Sequence, residues 1–282
     1  LDIKILIACH KPYQVPEDDA YLPLQVGAYG KKGIRVKECQ GAKLPHKHQE
    51  TGAISRDDDG DNISQKNPYY CELTGLYFGW KNVKADALGL VHYRRYFSMK
   101  SRAYRKLHGA FKSVLSYDEA AALLTRANVV VPQKRRYYIE SLYSHYAHTL
   151  DANHLDLAKD IIERDYPEFI PFVNQVYNRT WGYMFNMAIM PKKYLDKYCT
   201  WIFDILGKLE QQIDVTQLDA FSARLFGRVS EILFNVWIEK MQSEGMSIVE
   251  CPVIDMERIN WPKKIIGFLQ AKFMGKKYSQ SM

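Results

Sequence analysis

Cysteine pairs are missing from this chain: its five cysteines, Cys9, Cys39, Cys71, Cys199 and Cys251, are scattered singly, with no Cys-x-x-Cys spacing. That pattern excludes a zinc ribbon and a disulfide framework, and it fits a reducing compartment. Long apolar runs are missing too. The longest, Ile5 to Cys9 and Ala87 to Val91, fall far below the ~18–20 residues of a membrane-spanning helix, and no charged-then-apolar signal opens the sequence. A soluble or peripheral protein is expected. Nor does the chain contain Gly-x-Gly-x-x-Gly, a Walker phosphate loop, Gly-x-Ser-x-Gly or His-Glu-x-x-His. The common dinucleotide, NTPase, hydrolase and zinc-protease readings therefore lose their usual signatures. No internal repeat is found.

What is present is a globular composition: 282 residues, 47% hydrophobic and 25% charged. This is enough for one large domain or two small ones with a full core. The net charge of +7 is uneven, because residues 261–282 hold Lys263, Lys264, Lys272, Lys276 and Lys277 without one acid, leaving +2 for the rest. Between these lysines stand Trp261, Ile265, Ile266, Phe268, Leu269, Phe273 and Met274. Two readings stay open: a basic amphipathic tail on an anionic membrane, or a C-terminal helix docked on the body with solvated lysines.

Periodicity predicts α/β alternation. Ile3 to Cys9 reads as a buried strand ending in Cys9-His10-Lys11, and ligands bind at such strand ends in open α/β sheets. Residues 33–63 read as a long loop. Asn67 and Pro68 predict a helix capped by Asn67 and running to about Trp80. Ala87 to His92 is a second buried strand that feeds Tyr93-Arg94-Arg95-Tyr96-Phe97. Ser116 and Glu119 form a capping box for a helix to about Arg126, followed by a strand from Asn128 to Val131. Short helices broken by Pro167 and Pro171 fill residues 137–178, and Trp181 to Met190 reads as a strand. Pro191 opens a helix whose apolar stripe, Leu195, Tyr198, Ile202, Ile205 and Leu209 among others, faces a core. A helix from Thr216, kinked or divided near Gly227, runs to about Lys240, and Ser247 to Cys251 is the last strand.

Several groups have chemistry to offer. His92-Tyr93-Arg94-Arg95-Tyr96 at a strand end can grip a diphosphate, since arginine binds phosphate oxygens in pairs. If the strand continues, alternation puts Arg94 and Arg95 on opposite faces, leaving one of them structural. The run Asp57 to Asp61 lacks the glycine and glutamate of a calcium loop, Asn62 and Pro68 standing there. It can hold a divalent ion beside a diphosphate, or simply be solvated. His145, His148 and His154 are expected to be surface or hydrogen-bonded residues rather than metal ligands.

The motifs Asp61-Asn62-Ile63-Ser64, Asn67, Tyr70 to Tyr77 and Gly89 to Phe97 resemble the bacterial capsular and exopolysaccharide glycosyltransferases once grouped as a domain of unknown function (DUF4422). Asn186 to Met190 and Arg228 to Trp237 agree with that family's second half, so the likeness covers about Ile3 to Lys240. The resemblance implies a single Rossmann-like GT-A domain over residues 1–260, with a mixed central sheet and a helical C-terminal part, followed by the basic tail. It implies transfer of galactofuranose or galactose from a UDP-sugar to a lipid-linked or oligosaccharide acceptor of a capsule, exopolysaccharide or O-antigen, in the cytoplasm at the inner face of the membrane. On that reading His92, Arg94 and Arg95 stabilise the leaving UDP, and Glu231 leads as general base, with Asp61 and Glu72 next. A structural role for Glu231, paired with Arg224 or Arg228, is equally open. Cys9, His10, Lys11, Asn62, Ile63, Asn67, Glu72, Thr74 and Tyr93 are the expected donor contacts. His92-Tyr93-Arg94 stands where many GT-A enzymes carry Asp-x-Asp, which leaves a manganese or magnesium requirement open. Two rival classes remain: an inactive scaffold with a transferase fold, and a single-stranded nucleic-acid binder using Tyr93, Tyr96 and Phe97 with Arg94, Arg95, Arg102 and Arg105. The modest charge of the body argues against nucleic acid.

Overall fold

Strand β1 (Ile3–Cys9) is apolar at every position but Lys4, and both its faces are covered. Ile3, Ile5, Ile7 and Cys9 enter one core, while Leu6 and Ala8 enter the other on the opposite face of the sheet. Burial on both faces is why the strand shows no apolar-polar alternation. This computed structural model describes residues 1–35, 39 and 53–257. The expected tail, residues 261–282, and the Lys43–His48 part of the loop lie outside the described residues.

The architecture is α/β with a mostly parallel central sheet. β1 pairs in parallel with β2 (Tyr21–Gln25) on one side and β4 (Ala87–His92) on the other, and β2 pairs with the short β3 (Ser55–Arg56). Beyond β4, the antiparallel strand β9 (Ala188–Pro191) leads to β6 (Val129–Pro132), which pairs in parallel with β10 (Ile248–Cys251). The larger core lies under α1 (Asn67–Tyr70), α2 (Leu73–Asn82), α5 (Leu142–Thr149), α6 (Asn153–Asp165), α7 (Ile170–Asn178), α8 (Lys192–Glu210) and α9 (Leu225–Ser243). The smaller core is closed by α4 (Tyr117–Arg126), by β5 (Arg95–Phe97) and by β11 (Val253–Asp255). Gly79 lets α2 lie close on the sheet, since a Cβ there would meet Leu6 Cδ1 at 2.4 Å.

Local signals placed the capping box and the α8 stripe correctly. Ser116 accepts from the Glu119 amide while Glu119 accepts from the Ser116 amide, and the stripe residues are buried. Four expectations need correction. Asn67 does not cap a long helix: its amide donates to the Cys71 carbonyl at 2.7 Å and to Thr74 Oγ1 at 3.0 Å. The helix is broken at Cys71, whose φ of 53° is left-handed. Residues 181–190 are not one strand, because β8 (Trp181–Gly182) and β9 are separated by a turn in which Phe185 and Asn186 both have positive φ. The segment from Thr216 is divided before Gly227, into two 3₁₀ turns and then α9, which runs unbroken through Gly227. Finally, β4 does not continue past His92; the chain turns at Tyr93 and Arg94, and Arg95 pairs back with His92.

Candidate active site

Parallel pairing brings the carboxyl ends of β1, β2, β3 and β4 to one edge, with Cys9 beside Gln25, Gln25 beside Arg56 and Ala8 beside His92. Beyond β1 the His10 ring meets the Tyr93 ring edge-on at 5.0 Å, and Tyr13 meets Tyr93 at 4.9 Å. Lys11 and Arg94 lie over the same Tyr93 ring at 5.5 and 5.2 Å. Partial burial, followed by Lys11, Arg94, Lys31 and Arg224, holds the His10 imidazole below its ordinary proton affinity. Lys11 and Arg94, gathered over Tyr93 at this edge, make a positive field suited to an anionic ligand.

The second half of the site surrounds Glu231. Burial first and the Glu72 carboxylate second push its pKa up to about 7, against the pull of Arg228, Arg135 and Arg95. A carboxylate so placed exchanges protons near neutral pH. Arg224, at the entry to α9, lies in the field of Glu72 and Glu231 as well as that of His10. Its guanidinium also donates to the Cys71 thiol, next to Glu72, at 3.2 Å.

The Phe185-Asn186 turn ties the two halves together. His92 donates from Nε2 to the Phe185 carbonyl at 2.6 Å, and Arg95 stacks on the Phe185 ring at 4.4 Å. Asn186, buried, donates from Nδ2 to Glu72 Oε1 at 2.7 Å and to the Gly227 carbonyl at 2.9 Å. Two consecutive non-glycine residues at positive φ store strain, and such strain persists where the surroundings over-determine it. Arg95 also donates to Asp255 at 2.9 Å and Arg94 to Glu257 at 3.2 Å, so both arginines are held by carboxylates at and just after the end of the last strand. The expectation of one free and one structural arginine assumed a continuing strand and gives way to this hairpin.

Other expected contacts fall elsewhere. Cys9 is fully buried in the smaller core, with its thiol proton affinity raised by burial, so its side chain packs rather than binds. Thr74 and Asn67 belong to a network around Asp57. That carboxylate, 0% exposed, accepts from the Gly27 and Ala28 amides at 2.8 and 2.9 Å, from Ser64 Oγ and from Thr74 Oγ1 at 2.6 Å. With four donors of the chain on its two oxygens, Asp57 is a loop anchor, and the reading of Asp57 to Asp61 as an ion site loses its first ligand. Asn62 braces the same loop through the Asp58 and Gly60 carbonyls, and Asp61 accepts from the Tyr77 hydroxyl at 3.1 Å. Ile63 packs against the larger core.

Among the described residues no group of three or more His, Cys, Asp or Glu is placed to hold a metal ion. His145 and His148 instead face the buried Glu140 at 2.9 and 2.6 Å, and His154 faces the Tyr146 hydroxyl at 3.0 Å. The aromatic platform required by a nucleic-acid binder is not available, since Tyr93, Tyr96 and Phe97 are all buried. Sequence reasoning missed Lys31 and Arg135, placed Asn186 only as the first residue of a motif in the resemblance, and named Arg224 only as a structural partner of Glu231.

The model of the family described as a domain of unknown function (DUF4422) matches residues 4–243. A solved structure described as the bifunctional glycosyltransferase WbbM in its apo form superposes with a TM-score of 0.77 at 28% identity. The match covers 92% of this chain and 46% of that one, so the chain spans less than half the length of its structural neighbour. No curated protein matches.

Proposed function

The chain belongs to the DUF4422 family, and from that premise we propose that it is a glycosyltransferase moving a sugar, galactofuranose or galactose, from a UDP-sugar to a lipid-linked or oligosaccharide acceptor of a surface polysaccharide. The observation carrying this reading is that one turn bonds both halves of the site, His92 at the strand end donating to the Phe185 carbonyl and Asn186 donating to Glu72 and to the Gly227 carbonyl of α9. Likeness to a bifunctional glycosyltransferase supports the reaction class.

On this reading Lys11, Lys31, Arg94 and Arg224 receive the diphosphate of the donor. As its bond to the sugar breaks, negative charge grows on the departing UDP, and fixed cations stabilise that charge without reorganising. Glu231 takes the proton of the acceptor hydroxyl as the new glycosidic bond forms, a role that requires its ionised form. Glu72, clamped by Asn186, keeps the Glu231 proton affinity high enough for the transfer to be effective near neutral pH. Both Asp57 oxygens are already bonded within the loop, and on this reading the basic side chains meet the diphosphate charge.

Calorimetry with UDP, first with manganese and then with EDTA, against GDP as control, tests the donor. Selective UDP binding that survives EDTA is expected. Binding of neither nucleotide would leave a scaffold with a transferase fold as the better description.

A further inference from the structure

Between Ser98 and Tyr117 the chain has five basic residues, Lys100, Arg102, Arg105, Lys106 and Lys112, and no acid. The helix α3 (Arg102–His108) in this stretch buries none of its residues. Its start is capped, Ser101 Oγ accepting from the Tyr104 amide, but seven residues are too few for a helix to be stable by itself. The base of the excursion is pinned to the body. Ser98 Oγ donates to the Ser113 carbonyl at 2.5 Å, and Lys100 pairs with Glu119 of α4 at 2.7 Å.

The tip is where the composition stops making sense for a solvated loop. Leu107 is 79% exposed, Met99 47% and Tyr104 37%, so these three stand outside among the cations, while Phe111 packs against the smaller core. Burying them in the fold would have been favourable, and the fold leaves them out. Nucleic acid or an acidic protein surface would use the charges, but a phosphate backbone has no place for Leu107 and Met99. An anionic bilayer uses both: lysine and arginine meet the headgroups while leucine and methionine enter the acyl boundary.

We propose that residues 99–112, centred on α3, dock the protein on an anionic lipid surface. The site stands on described residues alone and does not depend on the basic segment at 261–282. It is also independent of the glycosyltransferase reading, although a membrane-docked enzyme suits an acceptor carried on lipid.

Flotation of the full chain with vesicles tests it, comparing phosphatidylcholine alone with phosphatidylcholine containing phosphatidylglycerol. The wild-type chain is expected to float with the anionic vesicles only, less so as salt is raised. Arg102→Glu, Arg105→Glu and Lys106→Glu together should weaken binding by at least about tenfold. Leu107→Ala should weaken it about fivefold with little change in its salt dependence, because it removes apolar insertion and no charge. All four positions are solvent-facing or half-exposed, so an unchanged melting curve is the folding control. Undiminished flotation of the triple variant would overturn the proposal. So would a wild-type chain that ignores the vesicles but binds a single-stranded oligonucleotide.

Discussion

Asp57 is a fully buried carboxylate and Glu231 a half-buried one crowded by the protein, and their polar surroundings differ. Asp57 is met by four hydrogen-bond donors of the chain, whereas Glu231 is met by a second carboxylate, Glu72, and by arginines whose pull falls short. Burial with donors makes a structural anchor, because ionisation is compensated bond by bond. Burial beside a like charge makes a group that gains and loses a proton near neutral pH. The proposed function uses the less satisfied of the two.

Substitution can break this comparison, beginning with the larger effect. Glu231→Gln should lower the transfer rate about 10²–10⁴-fold, the usual contribution of a general base, without lowering the melting temperature at pH 8. The sign follows from linkage: the folded chain binds the Glu231 proton more tightly than the unfolded one. Its contribution therefore favours the fold below the ordinary carboxylate range and is lost as pH rises through about 7. Steady-state rates beside thermal melts decide this, and a large drop in melting temperature at pH 8 would return Glu231 to a structural role.

Asp57→Ala should do the reverse. It strands the donors of Gly27, Ala28, Ser64 and Thr74 and should cost about 3 kcal/mol of stability, read as a lower denaturant midpoint. Any activity loss should be recovered at low temperature, where the loop refolds around its remaining bonds.

Asn186→Gly gives the smallest and most specific effect. Glycine tolerates the positive φ, so the turn can persist while the amide that bonds Glu72 and the Gly227 carbonyl is lost. With Glu72 released, the Glu231 midpoint should fall by about one pH unit, and the acid limb of the rate profile should move with it. Titration of the isotope-labelled Glu231 carboxyl by NMR reads this without assuming an activity. An unmoved midpoint would show that burial alone sets it.

Much of the fold was legible because its signals are local. Three isoleucines at alternate positions of β1, the Ser116–Glu119 box and the α8 stripe each sit within one element, and propensity and burial agree there. β2 was harder to read, since Pro23 argues against a central strand; it is tolerated because β3 reaches only Leu24 and Gln25. β11 is three residues long and exists through its pairing with β5, about 160 positions earlier.

For the site the division is sharper. Residue types and strand ends put His10, Lys11, His92, Arg94 and Glu231 under consideration, since a strand's exit and a helix's motif can be read from a few neighbouring residues. Which of the 32 acids is an anchor and which an exchangeable base depends on the charges and donors that arrive from distant segments. Glu72 reaches Glu231 through a turn 114 residues further on, and Asp57 meets donors on both sides of it in the chain. Sequence alone determined β1, β4, the capped start of α4, the α8 stripe and the uneven placement of charge, all consequences of short-range pattern. Only the tertiary structure decided the electrostatic neighbourhood of each carboxylate, because Coulomb and desolvation terms act through space and not along the chain.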